Sequence, residues 1–196
     1  KVEIKPLNHP ALNQLLNQRK IPIKLARQYC KEVHYTLNGK SYFSVAFPND
    51  KGGFETLNPY FKGCLPPKEI SIFNRQTQAV HLFEGFMDYL SLLTLQARQA
   101  DVSAVVLNSI TNLEKAIPFL SKHTQINAFL DNDEGGKRAL EKLQNLKLPI
   151  VDYSKKYAEY KDVNDYLCGK KLPQFQKKLT TETEIQKPKI GKRFKR

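Results

Sequence analysis

The sequence predicts an α/β protein whose main part is a parallel sheet with helices on both faces. From residue 80 onward, short apolar runs alternate with longer segments that carry helical apolar spacing. Two of those apolar runs end in clusters of acidic residues and glycine, which is typical of the loops at the carboxyl edge of a parallel sheet. The first seventy or so residues have turn and hairpin signals instead, so they predict a small α+β unit in front of the sheet.

The elements of the N-terminal unit follow from apolar spacing and turn residues. Pro22 suits the start of a helix, and Asn38-Gly39 is a strong signal for a two-residue hairpin turn. Gly52-Gly53 indicates a second turn. The predicted elements are helices at 10–19 and 23–30, a hairpin over 35–47 and a strand at 54–57.

In the second part, strands and helices alternate in the order that right-handed crossovers require. Thr111-Asn112-Leu113-Glu114 has the spacing of a capping box at the start of a helix. The predicted strands are a run beginning at residue 80, then 104–107, 126–130 and 150–152, and the predicted helices are 86–98, 113–121 and 137–145.

The two acidic clusters predict a metal site. Glu84 and Asp88 follow the apolar run 79–83, while Asp131 and Asp133 follow the run 126–130. Because ligands bind at the carboxyl ends of parallel strands, the two clusters are expected to converge. Residues two apart in an extended segment point the same way, so Asp131 and Asp133 can present oxygens to one ion. Mg²⁺ takes such oxygen ligands together with substrate phosphates.

The pattern Glu84-Gly85-x-x-Asp88 followed by Asp131-x-Asp133-x-Gly135 resembles the Toprim domain of topoisomerases, primases and some nucleases, over roughly residues 78–168. Lys161-Asp162-x-x-Asp165-Tyr166-Leu167 resembles the segment that closes the Toprim domain of bacterial DnaG-type primases. Upstream, residues 15–29 and 58–63 resemble the polymerase subdomain of the same primases. We interpret the chain as a compact version of the kind carried by plasmids, phages or other mobile elements.

The resemblance implies roles for individual residues. It makes Glu84 the central residue of the site, as a metal ligand or in proton transfer, with Asp88 one helical turn behind it. Lys62 matches a primase motif lysine that faces the same crevice, and we expect both Lys62 and Lys161 to neutralise the charge of a bound triphosphate. Further candidates for contacts with nucleotide or nucleic acid are Arg19, Arg27, Asp88 and Asn108.

Simpler roles remain open for each of these residues. Glu84 could be an acid favoured at a helix N-terminus. Asp131 and Asp133 could form an Asx turn. Asp162 and Asp165 could cap the closing helix. The lysines and arginines could be ordinary exposed cations.

Composition indicates a polyanionic partner. Thirty-two Lys plus Arg against nineteen Asp plus Glu give a net charge of +13. The last ten residues hold six basic and no acidic side chains, so the tail beyond about residue 178 is either a solvated terminus or an arm that contacts phosphates. Three widely separated cysteines suggest neither a disulfide framework nor a zinc site. Without an apolar run long enough for a membrane span, a cytoplasmic location is the default expectation.

Together these observations predict a DNA primase core that uses Mg²⁺ or Mn²⁺, ribonucleoside triphosphates and a single-stranded DNA template, with a replicative helicase as a possible partner and no membrane. Catalytic and metal residues are predicted to be Glu84, Asp131 and Asp133. The predicted domains are an α+β primase subdomain (1–76), a Toprim catalytic domain (77–168) and a C-terminal helix with a basic tail (169–196). Two alternatives stay open: a Toprim-type nuclease, and a nucleic-acid-binding accessory module without catalysis.

Overall fold

The computed structural model describes residues 2–97 and 101–176. Their strands form two five-stranded sheets, in the orders β1-β2-β3-β4-β5 and β10-β9-β7-β8-β6. The predicted α/β class is therefore confirmed. The strands are β1 Val2–Lys5, β2 Lys31–Leu37, β3 Lys40–Pro48, β4 Phe54–Leu57, β5 Lys62–Leu65, β6 Ser71–Phe73, β7 Ala79–Phe83, β8 Ser103–Val106, β9 Gln125–Phe129 and β10 Ile150–Asp152. The helices are α1 Pro10–Gln18, α2 Ile23–Tyr29, α3 Phe86–Gln96, α4 Leu113–Leu120, α5 Glu134–Asn145 and α6 Val163–Cys168.

The N-terminal sheet is antiparallel throughout. Its predicted helical pair and hairpin are confirmed, and Asn38 and Gly39 both adopt the positive φ that a two-residue turn between twisted strands needs. Strands β1 and β5 were not predicted. Both are only four residues long: Val2–Lys5 alternates apolar and charged residues over just two periods, a signal that was overlooked, and Lys62–Leu65 has no alternation.

The second sheet is parallel from β10 to β8, as predicted, and gains an antiparallel edge strand, β6. That strand lies before residue 77, on the N-terminal side of the predicted domain boundary, which itself stays a prediction. The last predicted domain lies mostly outside the described residues, and the tail beyond residue 178 lies wholly outside them.

Helix α4 begins at Leu113, as predicted, but its cap differs from prediction, and α5 begins at a different residue. The capping box at Thr111–Glu114 was wrong: a short 3₁₀ turn, Ile110–Asn112, precedes α4, and the Asn112 amide donates to the carbonyl of Leu107 (2.9 Å) instead of capping. Helix α5 begins three residues earlier than predicted, because Asp133 caps it.

Helices cover both faces of the second sheet, as predicted. On one face Phe83 and Val106 pack with α3 and with the N-terminal unit, and on the other Leu82 and Val105 pack with α4 and α5. The first cluster joins the two sheets: the ring of Phe47 on β3 stacks on Phe86 of α3 with centroids 5.2 Å apart. The two units therefore share a core. Among the described residues, no helix is both long and apolar enough to cross a membrane.

Candidate active site

A cleft of about 130 Å³ opens at the carboxyl edge of the second sheet, between that sheet and strands β4 and β5. Carboxylates, one lysine and two polar loop residues dominate its lining. Its lining residues include Glu55, Lys62, Glu84, Asp88, Asn108, Ser109, Asp131 and Asp162. The carboxyl ends of β7, β8 and β9 thus converge as the topology predicts.

The segment after β9 directs three consecutive side chains to three different places. The half-buried side chain of Asp131 lines the cleft. The amide of Asn132 donates to the carbonyls of Tyr157 (3.0 Å) and Tyr160 (2.9 Å), which fastens the closing segment to the sheet. The Asp133 carboxylate accepts from the backbone N–H groups of the next two glycines (2.9 and 3.1 Å) and so caps α5.

Gly136 is required by packing rather than by a turn. A Cβ atom at this position would come within 2.1 Å of the carbonyl oxygen of Asp131. The first turn of α5 can therefore lie against the Asp131 backbone only if residue 136 has no side chain.

Three carboxylates from three elements meet at the base of the cleft. Asp88 comes from α3, Asp131 follows β9, and Asp162 precedes α6, where it also caps that helix by accepting from Asp165 N–H (2.6 Å). One carboxylate oxygen from each of Asp88, Asp131 and Asp162 lies within 4.8 Å of the other two, a spacing suited to a shared metal ion. The capping role expected of Asp162 is thus present, whereas no sequence pattern indicated that Asp162 also belongs to the acid cluster.

Burial and mutual repulsion raise the pKa values of these acids. Asp88 is buried, and its pKa lies well above the ordinary value because of burial and of the negative charges on Asp162 and Asp131. Burial, then Asp162, raises the pKa of Asp131 to about 6. Burial, then Asp131 and Asp133, raises the pKa of Glu84 to about 7. Negative charges this close together are stabilised when some of the carboxylates are protonated or when a cation binds between them.

Glu84 lies at the cleft with one carboxylate oxygen buried. Within the described part of the chain, that oxygen, Oε2, has no hydrogen-bond partner, which is costly for a polar atom removed from water. The charge of Lys161 opposes the rise in the pKa of Glu84, and Lys161 Nζ lies 3.5 Å from Asp131 Oδ2 and 3.9 Å from Asp133 Oδ2. The carboxylates of Asp131 and Asp133 can therefore both contact the same positive charge, here the Lys161 ammonium, although Asp133 also caps α5.

The remaining candidates divide between the cleft and the N-terminal unit. Lys62, at the start of β5, and Asn108, which has φ +62°, both line the cleft. Arg19 donates from Nη1 to Asn164 Oδ1 (3.1 Å), and Arg27 donates to the carbonyl of Leu7 (2.9 Å) and to Asn8 Oδ1 (2.7 Å). Arg27 is thus engaged within the N-terminal unit, away from the acids.

Glu55 on β4 was not singled out from the sequence. It lines the cleft, its Oε1 is buried without a partner among the described residues, and burial raises its pKa. A single acid inside a strand with no neighbouring motif carries no signal that could have identified it.

Comparisons with known proteins agree with this geometry. A family model described as Toprim-like matches residues 81–167, and a model of a domain of unknown function, DUF8464, matches residues 1–66. The region 81–167 of the chain is Toprim-like. Its resemblance within that class is to DnaG-type DNA primases, as the closing segment indicated.

The relatives differ in how much they share with the chain. The DNA primase DnaG of Archaeoglobus fulgidus is 33% identical over 107 residues, which is 55% of this chain and 25% of that protein, so the chain matches only a quarter of the relative's length. The primase fragment of the bacteriophage T7 primase-helicase protein shares the fold with a TM-score of 0.56 at 15% identity, over 85% of this chain and 72% of that one. The zinc-binding and RNA polymerase domains of the Aquifex aeolicus primase match with a TM-score of 0.41 at 14% identity, over 93% and 54%.

Proposed function

We propose that this chain is the core of a DNA primase, a DNA-dependent RNA polymerase that makes short primers on single-stranded DNA. The observation that carries the proposal is the meeting of Asp88, Asp131 and Asp162 at the base of the cleft. Nucleotidyl transfer requires a concentration of carboxylates of this kind, because its substrates are polyphosphates neutralised by divalent cations. The resemblance to primases supplies the reaction class.

The acid cluster fits Mg²⁺ or Mn²⁺. Hard cations prefer carboxylate oxygens, and three of these lie within 4.8 Å of one another, with Lys161 and Lys62 as nearby positive charges. We assign Asp88, Asp131 and Asp162 as the residues that would hold the cation, with Glu84 and Asp133 beside them. When bound, the cation would lower the pKa of the attacking 3′-hydroxyl and neutralise the triphosphate.

The side chains of the cleft would divide the remaining work. The 3′-hydroxyl oxygen bonds to the α-phosphorus, pyrophosphate leaves, and the hydroxyl proton passes to a base. Glu84 suits that role, since a pKa of about 7 lets it accept a proton near neutral pH. Lys62, which lines the cleft, and Lys161, which lies 3.5 Å from Asp131, would neutralise the triphosphate. Asn108 would contact the nucleotide or template from the loop after β8.

Template is expected on the basic surface between the N-terminal unit and the second sheet. The net charge of +13 supports binding to phosphates without sequence preference, with an affinity that falls steeply as salt is added. Arg19 and Arg27 remain candidates for such contacts, and a replicative helicase remains a proposed partner. An origin in a mobile element belongs to the same proposal.

The test is a primer-synthesis assay on single-stranded DNA with labelled ribonucleotides and Mg²⁺ or Mn²⁺. The wild-type chain should make short products, while Asp131→Asn and Glu84→Gln should reduce synthesis by roughly 100-fold or more, the scale expected when an electrostatic or acid–base group is removed. Asp101→Asn is the matched control, because Asp101 is exposed just before the amino end of β8, at the opposite edge of the sheet.

Full activity in both cleft variants would overturn the proposal. Metal-dependent cutting of the template without synthesis would assign the site to a nuclease, in which the same cations activate water. Salt-sensitive binding with neither reaction would leave a nucleic-acid-binding module.

A further inference from the structure

Asn164 lies in the first turn of α6 and faces neither the cleft nor solvent. Its side chain makes three hydrogen bonds inside the protein. The residue is 1% exposed. Its side-chain Nδ2 donates to the backbone carbonyl of Arg19 (3.0 Å) and to Ser91 Oγ (2.9 Å), and its Oδ1 accepts from Arg19 Nη1 (3.1 Å). Its backbone N–H donates to Asp88 Oδ1 (3.2 Å).

These contacts satisfy the polar atoms of the Asn164 side chain and fix its orientation. Ser91 Oγ donates its own proton to the carbonyl of Met87 (2.6 Å), so it can only accept from Asn164. The Arg19 carbonyl and Ser91 Oγ both need a hydrogen-bond donor at this position. The amide of an asparagine provides one, whereas the carboxylate of an aspartate does not.

The contacts also join three parts of the chain that are far apart in sequence. Arg19 ends α1 in the N-terminal unit, Ser91 lies on α3 of the second unit, and Asn164 begins α6. The Asn164 side chain therefore fastens the first turn of α6 between the two units. The same turn presents the Asp162 carboxylate and the backbone N–H that holds Asp88.

We propose that Asn164 is a positioning residue for the acid cluster. Through its contacts with Arg19, the position of α1 helps to determine where the carboxylates of Asp88 and Asp162 lie. This inference rests on the cation site of the proposed function. It goes beyond that function because it makes the cation affinity of the site depend on the N-terminal unit. Residues that hold metal ligands in place typically account for about 10- to 100-fold in metal affinity.

The test measures Mn²⁺ binding to the full chain without nucleic acid, from the electron paramagnetic resonance signal of the free ion. Asn164→Ala should weaken Mn²⁺ binding by about tenfold or more. Arg19→Met, which removes only the guanidinium donor from a half-buried site, should produce a smaller loss in the same direction. The double variant should bind no more weakly than Asn164→Ala, because both changes act through one contact.

The control is Asn112→Ala. Asn112 is also buried, at 5% exposure, and its amide also holds a backbone carbonyl, but it lies at the start of α4 on the other face of the sheet. This variant should lower the melting temperature and leave Mn²⁺ affinity unchanged, which separates positioning from a general loss of stability.

Wild-type Mn²⁺ affinity in Asn164→Ala, or an equal loss in Asn112→Ala, would overturn the inference while leaving the proposed function intact. A wild-type chain that binds no Mn²⁺ would remove the cation site, and the positioning role with it. Loss of Mn²⁺ affinity in Asn164→Ala by a chain that makes no primers would uphold the positioning role and overturn the reaction assignment.

Discussion

The two sheets supply the cleft in different ways. The parallel sheet contributes from its strand ends, since Glu84, Asn108 and Asp131 each lie one or two residues beyond the end of a strand. The antiparallel sheet contributes from within its strands, with Glu55 on β4 and Lys62 on β5. In a parallel sheet all carboxyl ends lie at one edge, so chemistry gathers there, whereas an antiparallel sheet has no such edge. The second sheet together with its helices therefore brings most of the acids, and the N-terminal sheet brings Glu55 and a cation, Lys62.

The largest expected effect concerns the shared core. Phe47→Ala removes a fully buried ring that stacks on Phe86, and we expect it to lower the free energy of unfolding by about 3–5 kcal/mol. Because the ring lies between the two sheets, chemical denaturation should still show one cooperative transition for both units. Tyr60→Ala, at an 86% exposed position, should change stability by less than about 0.5 kcal/mol. Two separate transitions in the wild-type chain would show that the sheets fold independently.

A smaller effect concerns the cation from the N-terminal sheet. Lys62→Ala should raise KM for the nucleoside triphosphate by roughly tenfold, the loss expected for one charge-assisted hydrogen bond. Steady-state primer synthesis measures it, and Lys40→Ala, at an exposed lysine on β3 that does not line the cleft, is the matched control. Equal effects of the two changes would mean that Lys62 acts only through overall charge.

The smallest effect is a pH dependence of stability in the metal-free chain. The folded chain holds the Glu84 proton more tightly than the unfolded chain, because its pKa is raised to about 7. This stabilisation is complete below the unfolded pKa of about 4.5 and is lost as pH rises through 7. The melting temperature should therefore fall between pH 5 and pH 8, and Mn²⁺ should restore it at pH 8. Glu84→Gln should make the profile shallower and leave the part that Asp88 and Asp131 contribute, and an unchanged slope in that variant would assign the whole effect to those groups.

Local signals were sufficient for most of the fold. The hairpin at Asn38-Gly39 and the strands β7 to β10 were predicted because turn chemistry and apolar runs act over a few residues. Strand β6 was missed, since three residues at a sheet edge carry no periodicity. The start of α5 was misplaced because Asp133 was assigned to a metal and not to the helix that follows it.

The acid cluster could be predicted only in part. Asp131 was identified because a strand-end motif marks it. Asp88 was placed behind the ligands and Asp162 was given only a capping role, whereas their oxygens meet that of Asp131. This meeting depends on how α6 packs on α3, a contact between residues more than seventy positions apart that no local pattern encodes. Whether Asp133 binds metal stays a prediction.

The central claim is that carboxylates from three separate elements hold the divalent cation. Anomalous diffraction from crystals of the wild-type chain grown with Mn²⁺ tests it most directly. The account predicts a manganese peak bounded by Asp88, Asp131 and Asp162, which disappears in Asp131→Asn crystals. A peak held elsewhere, away from Asp88 and Asp162, or no peak at saturating Mn²⁺, would contradict it.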